Sequence, residues 1–234
     1  MPSKDFILGD GLAVTVSKRR GNRYLRLSIT PTGQAKVTIP AWAPYSAGVN
    51  FAKSRESWIR EQRVIVKPLR PGQAIGKAHH LHFVAKAAVT SATSRLAGTT
   101  ITVSHPATDE FDHPAVQQAA QTACVRALRR QAELLLPRRL SGLAETHGFT
   151  YTDVRIKRLK SRWGSCDQHG QIVLNLFLMQ LPWELIDYVL LHELTHTRIL
   201  RHGPDFWQAM TETLPDTRAL KKKLRDYHPV LSPE

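Results

Sequence analysis

The stretch Leu190-Leu191-His192-Glu193-Leu194-Thr195-His196 holds the residues best suited to chemistry. Read as a helix, His192 and His196 are four apart, so both imidazoles project from one face, one turn above the other. That spacing lets them reach one metal ion. Glu193 is displaced by about 100° on the same helix, beside the metal rather than on it. In this HExxH arrangement two histidines hold zinc and the glutamate takes a proton from a water on the metal. A third ligand is still needed, and His202 is the candidate. Ile199-Leu200-Arg201 gives way there to Gly203-Pro204, so the chain can turn and swing His202 back. Asp205 and Glu212 are within reach too. Asp205 falls in the first turn of a helix opened by Pro204, where a carboxylate is favoured without metal, and imidazole is the commoner zinc ligand. One zinc per chain is expected. The bland alternative, two core histidines, leaves Glu193 buried without a partner at a cost of several kcal/mol.

A rigid site needs buried support. Ile186, Val189, Leu190 and Leu191 bury the metal helix, which starts near Pro182. Ahead of it Val154-Arg155-Ile156-Lys157 alternates as a strand. Lys160 to Cys166 and Gln171 to Leu176 flank the turn residues Asp167-Gln168-His169-Gly170 and make a hairpin. Beyond His202, Phe206, Trp207 and Met210 pack a short helix back on the metal helix, and a last basic helix runs from Thr217 to Tyr227. Residues 113–148 read as a long helical segment closed by Gly148, which Pro137 kinks or splits.

The first hundred residues are mostly β in pattern. Leu12–Val16, Leu25–Ile29 and Ala35–Ile39 alternate with a period near two, and Gly21-Asn22 and Pro31-Thr32-Gly33 are turn signals. A small antiparallel meander is expected. Lys18, Arg19, Arg20 and Arg23 cluster at its first turn. A helix follows over 46–66, then strands at 73–75, 80–84, 87–89 and 99–103. His79, His80 and His82 lack an acid or third ligand at useful spacing, so they predict an exposed strand face rather than a second metal site.

At 234 residues the chain has room for one large domain or two small ones. Cys124 and Cys166 are its cysteines and form no metal knuckle, which points to a reduced, cytoplasmic setting. The start Met1–Phe6 lacks the apolar stretch of a signal peptide, and no run is long enough to span a bilayer, so no membrane partner is expected. A net charge of +14 favours anionic partners, nucleic acid above all, although the charge is spread over many segments.

Three blocks, in order, resemble the YgjP-like metallopeptidase family, metal-dependent hydrolases related to the SprT-like zinc peptidases. They are Arg162-Trp163-Gly164-Ser165-Cys166, then Ile186-Asp187-Tyr188-Val189 running into the HExxH stretch, then His202 with Phe206-Trp207. The basic β opening and the helix ending in Ser57-Trp58-Ile59 are similar to that family's N-terminal half. The resemblance implies an α+β chain: a β-rich region with one helix over 1–110, with antiparallel strands, then a zincin-like catalytic domain over 111–234. It implies His192, His196 and His202 as zinc ligands and Glu193 as catalytic acid/base. Arg201 and Gly203-Pro204 flank His202 where the family commonly has Asn and Ser, and His202 to Phe206 is closer to the SprT-like version of that segment. The spacing of the three histidines equals the metzincin spacing, but Ile199 stands at the metzincin glycine, so that turn cannot form.

The expected activity is zinc-dependent hydrolysis of peptide or protein amides. Tyr188, Tyr227, His228 and Arg162 are candidates to stabilise the oxyanion, and the sequence does not choose among them. The strand at Trp163 offers an edge to an extended substrate. Two rivals are a SprT-like protease acting on nucleic-acid-associated proteins and a nucleic-acid-binding module with structural zinc, whose metal would need a fourth protein ligand.

Overall fold

Alternating apolar residues near the N-terminus become four strands: β1 (Ser3–Leu8), β2 (Leu12–Arg19), β3 (Arg26–Ile29) and β4 (Ala35–Pro40). They lie in the order β1-β2-β4-β3, with β2 and β4 parallel and the outer pairs antiparallel. This corrects the expected meander. β2 and β4 are the most apolar, burying Leu12, Val14 and Val16 and Ala35, Val37 and Ile39. The centre of the sheet gives both strands a hydrogen-bonded neighbour on each side, and the more polar β1 and β3 take the edges. The structure is a computed structural model, and it describes residues 2–9, 11–29, 35–62 and 68–231. The turn signal at Pro31-Thr32-Gly33 lies outside the described residues.

The helix expected over 46–66 is two helices, α1 (Tyr45–Lys53) and α2 (Glu56–Gln62); its last residues, from 63, lie outside the description. Ser54 ends α1, its hydroxyl donating to the Phe51 carbonyl at 2.9 Å, a local bond that competes with the helical ladder.

The chain forms two compact units, Met1–Lys67 and Pro68–Glu234. A boundary drawn at 110/111 therefore cuts the second unit, because the next sheet shares a core with the long helix after it. That sheet comprises β5 (Ala74–Ile75), β6 (His79–Lys86), β7 (Thr93–Ala97) and β8 (Thr100–Pro106), in the order β5-β6-β8-β7. Ala87 and Ala88, expected in a strand, make a turn. The strand is β7, a polar edge whose alternation is too weak to stand out. His80 and His82 are exposed as expected, while His79 is buried and accepts from Gln131 Nε2 at 2.6 Å.

The long helix α3 (Pro114–His147) runs unbroken through Pro137. Proline leaves the Glu133 carbonyl without its helical donor, but Glu133 is exposed and water can serve it. The flanking Ala132, Leu136 and Leu140 are buried and hold the helix on course. Two buried glutamines on α3 clamp the sheet. Gln117 exchanges hydrogen bonds with the Leu69 backbone (2.8 and 2.9 Å). Gln131 accepts from Lys77 N–H at 2.6 Å and donates to the Ile75 carbonyl at 2.9 Å. No helix among the described residues is long and apolar enough to cross a membrane.

A three-stranded sheet follows, β9 (Asp153–Lys157), β10 (Gly164–Cys166) and β11 (Gln171–Asn175), in the order β10-β11-β9. β10 and β11 form the expected hairpin, and β9 lies parallel to β11. A 3-10 turn (Leu176–Gln180) then leads to α4 (Trp183–His196), α5 (Pro204–Thr213) and α6 (Thr217–Leu224). Arg139 on α3 grips Asp187 on α4 with two bonds of 2.7 and 2.6 Å. Arg198, just past α4, lies 4.3 Å over the Phe149 ring and donates to the Gly148 carbonyl. The metal-helix candidate is thus fixed at both ends to the longest element of the fold.

Candidate metal centre

His192, Glu193 and His196 lie on α4, whose inner face is packed with Leu185, Ile186, Val189, Leu190 and Leu194. The chain leaves the helix at Thr197 and folds back, the Gly203 N–H closing on the Arg201 carbonyl at 2.8 Å. This brings His202 level with the helix. Its Nε2 lies 3.0 Å from His192 Nε2 and 3.1 Å from His196 Nε2. His202 Nε2 carries at most one proton in the neutral ring, so it cannot satisfy both neighbours with good hydrogen bonds. Tetrahedral zinc with bonds of 2.0–2.1 Å sets its ligand atoms about 3.3 Å apart, and the three nitrogens are already near that spacing. Their donor set fits the metal that the sequence implied.

The surroundings prepare these rings. His196 Nδ1 is 3.0 Å from the Ile199 carbonyl, a bond that puts the proton on Nδ1 and leaves the Nε2 lone pair free. Burial pushes the His192 imidazole down to about 3, helped by the charges of His196, His202 and Lys221. Burial likewise lowers His196. Neutral rings are what metal ligation requires. Phe206 lies within 4.6–4.9 Å of all three rings, centroid to centroid, and walls them off from one side. Trp207 stacks near-parallel on His202 at 5.8 Å, and Lys221 Nζ sits 3.5 Å over the Trp207 ring. Sequence reasoning gave Phe206 and Trp207 a packing role but missed Lys221 as a neighbour of the cluster.

Glu193 is buried, and burial raises its carboxyl to about 8, with the Arg162 charge pulling the other way. Oε2 has no hydrogen-bond partner among the described residues. A cation placed at the three nitrogens would favour the ionised form. The carboxylate fits because position 164 is glycine. A Cβ there would meet Glu193 Oε1 at 2.6 Å, Cγ at 2.8 Å and Cδ at 2.9 Å. The Trp163-Gly164-Ser165 segment therefore does more than bulge or pack: it makes room for the acid.

Asn175 is another residue whose role sequence reasoning missed. Fully buried at the end of β11, it donates through Nδ2 to the carbonyls of Leu159 (2.9 Å) and Arg162 (2.8 Å) and accepts from Phe177 N–H at 3.2 Å. Its own N–H donates to the Trp163 carbonyl at 2.8 Å. The loop carrying Arg162 and Trp163 hangs from this one side chain. An asparagine inside an apolar strand was the available signal.

Of the oxyanion candidates, Arg162 is exposed and its charge acts on Glu193, while Tyr188 is buried with its ring 6.1 Å from His192. Burial, and then the Glu193 charge, raise the Tyr188 hydroxyl to about 12. Tyr227 is half-buried against the core beyond α6 and His228 is exposed; no contact among the described residues links either to the three imidazoles. Asp205 and Glu212 are exposed, and Glu212 accepts from Gln208 at 2.9 Å instead of joining the cluster. The metal-competent group among the described residues is His192, His196 and His202.

An α+β chain that gathers three imidazoles beside a buried glutamate has the make-up of a metal-dependent hydrolase. The profile of the YgjP-like metallopeptidase domain matches residues 23–227, and the chain belongs to the YgjP-like metallopeptidases. Among solved structures, the metallopeptidase zymogen of Pyrococcus abyssi abylysin is similar at 22% identity over 44% of this chain and 92% of its own, with a TM-score of 0.34. The metallopeptidase zymogen of Methanocaldococcus jannaschii jannalysin is similar at 20% identity over 37% of this chain and 90% of its own, with a TM-score of 0.33. No curated protein matches the chain.

Proposed function

We propose that the chain is a zinc-dependent peptidase in which His192, His196 and His202 hold one zinc ion and Glu193 is the general base. The observation that carries this reading is the convergence of three Nε2 atoms beside a buried carboxylate, one of whose oxygens has no partner among the described residues. Zinc, when bound, supplies a Lewis acid that lowers the pKa of water towards 7 and polarises an amide carbonyl.

The remaining work falls to the chain. Glu193 Oε2 accepts a proton from the attacking water and returns it to the leaving amine. Arg162 favours the ionised carboxylate before each turnover. The Ile199 carbonyl holds the His196 ring in one tautomer, and Phe206 keeps water from the inner side of the three rings. Arg162 and Tyr188 are the oxyanion donors that the geometry favours. β10 is an edge of its sheet and borders Glu193, which suits it to pairing with an extended peptide. A purely structural zinc finds less support, since no fourth ligand joins the three histidines among the described residues.

Glu193→Gln and His192→Ala test this reading against an unfolded protein substrate. Glu193→Gln keeps about one zinc per chain and loses hydrolysis by a factor of about 1000 or more, since the amide fills the same space but accepts no proton. His192→Ala loses both metal and activity. Wild-type activity in Glu193→Gln removes the general-base assignment, and full zinc retention in His192→Ala removes the site.

A further inference from the structure

One end of the first sheet collects cations and exposed aromatic rings. Lys18 and Arg19, at the end of β2, pair with Ile39 and Pro40 on β4, and Arg26, at the start of β3, pairs with Thr38 across the same strand. β1 brings Lys4 opposite Val16. Arg20 and Arg23 sit in the connection between β2 and β3, where Asn22 N–H closes on the Arg19 carbonyl at 3.4 Å. Lys18 Nζ donates to the Ala41 carbonyl at 3.3 Å, which sets Trp42 at this same end. Lys4 and Lys18 also lie 5.2 and 5.0 Å over the Tyr45 ring.

Six cations therefore share one end of a small sheet. The nearest carboxylate along β1, Asp5, accepts the Thr15 hydroxyl at 2.6 Å, and none of the six makes an ion pair among the described residues. Residues 1–67 hold twelve Lys and Arg against four Asp and Glu, so more than half of the net charge sits in less than a third of the chain. The charge is less evenly spread than the sequence first suggested. Two large rings stand among these cations: Tyr24 and Trp42 are each 81% exposed.

We propose that this end of the first sheet binds single-stranded nucleic acid, its cations on the phosphates and Tyr24 and Trp42 stacked on unpaired bases. Phosphate contacts supply sequence-independent affinity, and an exposed ring among cations is the stacking platform of single-strand binders. In a duplex the bases are stacked on one another and would leave both rings idle. A lipid surface would reward aliphatic side chains, but Ile7, the exposed aliphatic of this sheet, pairs with Ala13 towards its other end. The inference does not rest on the peptidase reading.

Fluorescence anisotropy of the full chain tests it, with a labelled oligothymidylate of about 20 nucleotides, its duplex with oligoadenylate, and phosphatidylserine vesicles as probes. The single strand binds more tightly than the duplex, and its affinity falls steeply between about 50 and 200 mM salt. R19Q/R20Q/R23Q weakens it about tenfold or more and lowers the salt slope by about 2. Tyr24→Ala and Trp42→Ala each weaken it about five- to tenfold without changing the slope, and Trp42→Phe restores most of the loss. R126Q/R130Q/R138Q, which removes equal charge from exposed positions on α3, changes binding less than about twofold. All these positions are exposed, so circular dichroism of each variant matches wild type. The proposal is overturned if the oligomer shows no salt-sensitive binding or the ring variants bind like wild type. It is equally overturned if the α3 triple loses as much, or if vesicles bind and the oligomer does not.

Discussion

The two four-stranded sheets share one topology and carry different loads. β1-β2-β4-β3 and β5-β6-β8-β7 have the same order, the same parallel central pair and the same antiparallel edges. Each is followed by a helix that packs on it. In the first unit that helix is α1, nine residues long, and the sheet ends in cations that make no ion pair among the described residues. In the second it is α3, 34 residues long, which covers the sheet, clamps it with Gln117 and Gln131, and holds α4 through Arg139. Strand order alone therefore assigns no function. The length and second face of the helix decide whether the unit ends as a small basic module or supports a rigid site.

In each unit a glycine lies where the four-stranded sheet and its helix approach too closely for a side chain, on opposite partners. In the second unit it is Gly76, between β5 and β6. A Cβ there would lie 2.6 Å from Gln131 Oε1 and 2.8 Å from Leu128 Cδ2, and φ is +66°. Gly76→Ala combines backbone strain with overlap and should cost about 2–4 kcal/mol in denaturant unfolding. An unchanged midpoint would mean that the Gln131 clamp is dispensable. Next comes Gly164→Ala, which displaces Glu193 by direct contact and leaves the three histidines alone. It should lower kcat/KM about 100-fold while zinc content and unfolding midpoint stay close to wild type. Loss of zinc in that variant would show that β10 supports the ligands as well as the acid. The smallest effect belongs to the first unit. Gly48 on α1 lies against β2 and β4, with a Cβ meeting Val16 Cγ1 at 2.5 Å and Ile39 Cγ2 at 3.0 Å. Gly48→Ala should destabilise that unit by about 1–3 kcal/mol and leave peptide hydrolysis unchanged below its transition.

What could be read from the sequence was what depends on neighbours in the chain. His192, Glu193 and His196 declare themselves because one helical turn sets their geometry, and Gly203-Pro204 marks the bend that returns His202. The β10–β11 hairpin and the α4 start at Pro182 are equally local. Long-range choices were hidden. Nothing local says that β4 passes β3 to pair with β2; burial of the two most apolar strands decides it. Pro137 breaks a helix in isolation, yet α3 continues because its buried face is held on both sides of the proline. Ser54 and the polar edge β7 were too weak in pattern to mark a boundary. Within the site, the pairing of Gly164 with Glu193 joins residues 29 positions apart, and Asn175 reveals its role only once the loop at 159–163 has folded over it.

The most direct test of the metal centre is a crystal structure of the zinc-loaded chain. One zinc is expected there, bound by His192, His196 and His202 at about 2.0–2.1 Å, with one coordination position open beside Glu193. Zinc bound by Glu212 with His202 turned away, or a fourth protein side chain closing the sphere, would contradict it.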